Sequence, residues 1–191
     1  MPQNIAKFLF LSLFLTFNLC ISAQAQTPKD KFSDSPFGVL EFLNWNHGWN
    51  NHNFANDESL IKAIALMKEA GVSWLRMDFS WEDIEPQKGK FNFDKYDHIV
   101  ELVSKAGIKI LGLLSYSASW AGESWNSPPY KNEDFADYAA AVVGHFKGKV
   151  DYWEIWNEPD QKVYFSPQDE MVRYTEILKA SDVSAKKANP D

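Results

Sequence analysis

Along the chain, short apolar runs alternate with stretches whose apolar residues recur at helical spacing. The first run is Phe37 to Trp45, followed by a polar loop and then Asp57 to Gly71. In that segment Leu60, Ile61, Ile64 and Met67 fall on one side at a 3.6-residue period, and Gly71 suits a helix stop. A second strand is expected over Ser73 to Phe79, a helix over about Asp94 to Ala106, and a third strand over Ile108 to Tyr116. Asn132 to Phe146 reads as the next helix, Val150 to Trp156 as a fourth strand, and Pro167 to Lys187 as a final helix.

Two of these units repeat one another, Lys68 to Ser80 aligning with Ser104 to Tyr116 at an offset of 36 residues. Strand-helix repeats of this length, with strands apolar on both faces, indicate a parallel sheet covered by helices. A doubly wound sheet and a (β/α)8 barrel both meet that description. The barrel needs eight units and typically about 250 residues. Four units are expected in the roughly 166 residues from Gln26 onward.

The N-terminus departs from this pattern. Lys7 precedes an apolar run from Phe8 to Ser22, and Ala23-Gln24-Ala25 offers a small-x-small cleavage site. That is the layout of a secretory signal peptide over residues 1–25, with a polar linker over 26–36 and the strand-helix domain over 37–191. The apolar run is shorter than the roughly 20 residues that span a bilayer. Cleavage moves the formal charge from −7 to about −8 and removes Cys20, the single cysteine. A secreted or periplasmic protein is therefore expected, without a disulfide and not membrane-bound after cleavage. An acidic chain is poorly suited to nucleic acid, which is held by Lys and Arg on phosphate.

The chemistry concentrates in "YWEIWNEPD", Tyr152 to Asp160. Strict alternation puts Tyr152, Glu154, Trp156 and Glu158 on one parity, so Glu158 is expected at the strand's C-terminal end, where barrels place catalytic groups. Pro159 biases residue 158 away from helical geometry. Asn157 offers both an amide donor and a carbonyl acceptor to a polyhydroxyl ligand. A plain turn would also use Asn and Pro.

"YWEIWNEPD" resembles the signature of retaining glycoside hydrolases of clan A, in which an Asn-Glu pair ends the fourth strand of a (β/α)8 TIM barrel. Trp74 to Leu111, with its Arg, its Glu-Pro and its Gly-x-Phe-x-Phe-Asp, resembles the same clan's second-strand region. The likeness is strongest to cellulase-like and β-xylosidase/iduronidase-like members and runs from Phe37 to Asp191. It implies Glu158 as general acid/base, Asn157 on the sugar 2-hydroxyl, and Arg76 supporting the nucleophile. It also implies an oligo- or polysaccharide substrate and no cofactor. The clan's nucleophile is a Glu ending a seventh strand. Glu41, Asp78, Glu82, Glu85 and Glu123 lie near strand ends here, but none matches that motif. The first four β/α units of a barrel are therefore expected, with the rest absent and the chain inactive alone. A non-catalytic carbohydrate-binding protein is the alternative.

Arg76 could equally pair with Glu154 or Asp78. Trp45, Trp81, Trp120 and Trp125 all follow strands, and Trp120 and Trp45 are taken as candidates for stacking on sugar. His47 and His52 supply too few ligands at metal-binding spacing, so no metal is expected.

Overall fold

The structure is a computed structural model that describes residues 35–46, 54, 56–166 and 171–190. The expected signal peptide, most of the linker, and His47 and His52 lie outside these residues. Four strands, β1 (Gly38–Leu40), β2 (Trp74–Ser80), β3 (Lys109–Ser115) and β4 (Tyr152–Ile155), form one sheet in the order β1-β2-β3-β4. All three pairings are parallel. A doubly wound sheet reverses its strand order at a switch point. An unreversed sequential order is that of a barrel wall, so the strand order settles what periodicity left open.

Five helices connect or follow the strands: α1 (Asp57–Glu69), the short α2 (Trp81–Ile84), α3 (Asp94–Lys105), α4 (Asn132–His145) and α5 (Met171–Ala188). The first opens where the Asn56 side chain accepts the Ser59 backbone N–H at 2.9 Å. Both α1 and α3 end alike. Gly71 (φ 79°) and Gly107 (φ 74°) take the left-handed conformation. Val72 N–H then reaches Met67 C=O at 3.0 Å, and Ile108 N–H reaches Val103 C=O at 3.2 Å, closing each helix end. These glycines are the 36-residue repeat made physical. The paired strands run 35 residues apart (Leu75 beside Ile110), so β3 is stepped one residue along β2. A barrel with as many residues of shear as strands takes about one such step per strand.

Parity along β2 divides the molecule. Leu75, Met77 and Phe79 are wholly buried and pack under the helices with Ile64, Val100, Tyr138 and Val142. Ile61, expected on the buried face of α1, is 52% exposed, and the face in contact consists of Leu60, Ile64 and Met67. On the opposite parity, Arg76, Asp78 and Ser80 face the concave side. On that side, in register with Arg76, the apolar side chains Leu40 (49% exposed) and Tyr152 (55%) are uncovered.

Gly112, on the helix-facing parity of β3, sits directly beneath Trp153. A Cβ there would lie 2.5 Å from Cζ3 and 2.6 Å from Cε3 of that indole. Gly112→Ala is therefore expected to cost about 1–3 kcal/mol through overpacking. A denaturation midpoint equal to wild type would mean that Trp153 moves aside freely.

Candidate active site

The C-terminal ends of the four strands surround a cavity of about 630 Å³. Arg76 and Asp78 come from β2, Tyr116 from the end of β3, Asn157 and Glu158 from the end of β4, and Trp45 from the loop after β1. Four of the five residues singled out in the sequence thus meet at one place. Trp120 does not line the cavity. Its indole donates to Glu85 C=O at 2.8 Å, and its ring packs edge-on to the fully buried Trp81. Trp125, five residues later, does line it.

Arg76 is the hub. Its Nε donates to Glu154 Oε2 at 2.6 Å, and its NH2 group donates to Asn157 Oδ1 at 3.0 Å. A guanidinium can only donate, so it fixes which end of the Asn157 amide faces it. The other end, Nδ2, donates to the Tyr116 hydroxyl at 3.1 Å. Both halves of the amide are held, and each retains capacity for a ligand: one proton on Nδ2 and one lone pair on Oδ1.

Strict alternation predicts Glu154 and Asn157 on opposite faces, yet both reach the same guanidinium. The reason is Trp156, which adopts φ 67°. Its ring leaves the inward parity and enters the core edge-on to Phe165 at 5.2 Å, with Phe135 at 5.7 Å. Its indole N–H donates to Tyr164 C=O at 2.8 Å. That rotation returns Asn157 to the inner face. Glu158 follows at φ 43°, left-handed rather than the extended geometry a following proline favours, and its side chain stays exposed on the cavity rim. Left-handed non-glycine residues cost roughly 1–2 kcal/mol each, and here two of them bracket the one amide the site orients.

Asp78 is only 6% exposed. Burial raises its pKa, and the Trp45 indole, 3.4 Å from Oδ2, partly opposes that. The Trp45 ring is itself stacked on Phe42 at 4.1 Å. Glu85 has a structural task, accepting from Trp81 Nε1 at 2.7 Å and Gly89 N–H at 2.6 Å. Tyr116 carried no sequence signal beyond its place at a strand end. Burial pushes its phenol up to about 12, while the hydrogen bond from Asn157 works the other way.

Comparison with known proteins gives these residues a context. Residues 49–119 match glycoside hydrolase family 42, described as beta-galactosidase. The chain is 31% identical over 111 residues to Beta-glucosidase 47 of Arabidopsis thaliana, covering 52% of this chain and 20% of that protein. It is 30% identical over 138 residues to Beta-galactosidase BbgII of Bifidobacterium bifidum, covering 58% and 20%. Among solved structures, a family 39 glycoside hydrolase from Bacteroides cellulosilyticus WH2 superposes with a TM-score of 0.62 at 26% identity, covering 81% of this chain and 29% of that one. An exo-beta-1,4-mannosidase from Opitutaceae bacterium strain TAV5 does so at 0.64 and 17%, covering 81% and 30%. The chain thus spans about a fifth to a third of these relatives. The resemblance to clan A glycoside hydrolases holds, and the four strands correspond to part of their TIM barrel.

A phenol whose pKa is raised on folding stabilises fully below about pH 10 and loses that contribution as pH rises through about 12. Tyr116→Phe is therefore expected to lose less stability than wild type across that window. Parallel curves in a pH series of urea midpoints would contradict the assignment.

Proposed function

We propose that the protein is a secreted glycosidase hydrolysing β-linked O-glycosides of oligo- or polysaccharides with retention, with Glu158 as general acid/base. One observation carries this reading: an exposed carboxyl on a cavity rim stands next to an amide fixed by Arg76 and Tyr116. Support for β-linked substrates comes from the relatives, which include a beta-glucosidase, a beta-galactosidase and xylanases. Export rests on the N-terminal pattern alone.

In the proposed reaction Glu158 gives its proton to the glycosidic oxygen as the bond to the anomeric carbon breaks. A second carboxylate, about 5–5.5 Å away in retaining enzymes, takes that carbon into a covalent intermediate. The resemblance assigns this nucleophile to a seventh strand, outside the four strands described. Glu158 then removes a proton from the water that releases the sugar. Asn157 meets the 2-hydroxyl, a contact that strengthens as positive charge develops on the ring.

A non-catalytic sugar-binding protein is the second reading. What favours it is that the carboxylate seen on Arg76 is Glu154, part of the strand itself. The two readings separate on Glu158→Gln in the full-length protein. Under the proposal, turnover of glycosides with poor leaving groups falls by about 10²–10⁴, while activated aryl glycosides, which need little protonation, fall far less. Equal small losses on both would remove Glu158 as the acid. Glycan binding without any cleavage, unchanged by the substitution, would establish the binding protein.

A further inference from the structure

We infer that Trp125 forms a binding subsite for a second sugar ring, next to the one that reacts; this rests on the glycosidase reading above. Trp125 is 52% exposed, whereas Trp81 and Trp156 nearby are buried in the core. Among the described residues its indole N–H has no hydrogen-bond partner. Its ring stands edge-on to Tyr116 at 5.0 Å between centroids, and both rings line the cavity that holds Glu158.

The mount beneath it is unusually firm for a loop. The Trp125 C=O accepts the Ser117 N–H at 3.0 Å, tying the residue to the end of β3. On its C-terminal side, Asn126 Nδ2 donates to Val163 C=O at 3.0 Å, and Asn126 C=O accepts the Ser166 N–H at 2.8 Å. These bonds lock the loop after β3 to the loop after β4, just beyond Asn157-Glu158. The backbone under a large, flat, solvent-exposed ring is therefore pinned on both sides, so less ordering of the loop is left to occur on binding. The ring's free N–H adds a donor for a hydroxyl.

The position sets which ring it serves. Tyr116 touches Asn157 through its hydroxyl and Trp125 through its ring, so it separates the two. The amide serves the reacting sugar, and the indole lies one ring further out. The ligand is thus an oligosaccharide whose second pyranose lays its C–H face on Trp125.

The test uses the full-length protein with lactose, cellobiose, xylobiose and their trisaccharides, together with galactose, glucose and xylose as single-ring inhibitors. Trp125→Ala is expected to raise KM for the preferred oligosaccharide about 3- to 10-fold, the worth of one aromatic contact. Inhibition by the matching monosaccharide should stay at the wild-type value. Trp125→Phe, which keeps a flat ring, should retain most of the affinity, and Trp125→Leu should behave like alanine. The inference is overturned if Trp125→Ala leaves the oligosaccharide KM unchanged, if it weakens the monosaccharide equally, or if leucine serves as well as phenylalanine. A wild-type protein that neither cleaves nor binds any of these probes would overturn the glycosidase reading itself.

Discussion

Everything at the upper end of this sheet depends on one guanidinium. Arg76 leaves the second strand, crosses the width of the third, and meets the fourth at two points: Glu154, within the strand, and Asn157, beyond its end. Its partners are 78 and 81 residues away in sequence, so the contact ties distant parts of the chain. Its worth is not chiefly energetic. The Arg76 and Glu154 side chains remain about 27% and 38% exposed, and partly solvated ion pairs contribute little to stability. What the guanidinium supplies is direction, since a group that only donates leaves a neighbouring amide one orientation.

That direction would be useless without the break in β4. A regular strand would point Asn157 into the helices and Trp156 into the cavity. Left-handed geometry at Trp156 exchanges them, and the aromatic cluster of Phe135, Phe165 and Trp156 offsets the strain. Core packing and site geometry are therefore one arrangement. The large apolar ring goes where burial is favourable, and the polar pair is left on the surface where a ligand can reach it.

Much of this was legible in the sequence, because period-2 and period-3.6 patterns and two helix-ending glycines report local structure directly. The helix-strand alternation could not choose between a doubly wound sheet and a barrel wall, since both obey it; strand order and register decide that. Arg76, Asn157, Glu158 and Trp45 were readable because strand ends in such folds converge. Parity failed past Ile155, where tertiary packing of one tryptophan overrode alternation. The two loop tryptophans, Trp120 and Trp125, were indistinguishable in sequence. A single hydrogen bond to Glu85 C=O turns the first inward, and no local pattern encodes it. Tyr116 was missed for the same reason, as its role exists only through the amide 41 residues away.

The central claim is that the carboxyl held beside this amide is the proton donor and acceptor. The most direct measurement is chemical rescue: full-length Glu158→Ala with an activated aryl β-glycoside, with and without azide, identifying the product by NMR. If Glu158 is the acid/base, azide restores turnover and yields the glycosyl azide with the substrate's anomeric configuration kept. No rescue, or an azide of inverted configuration, would mean that the carboxyl does other work and would contradict the account.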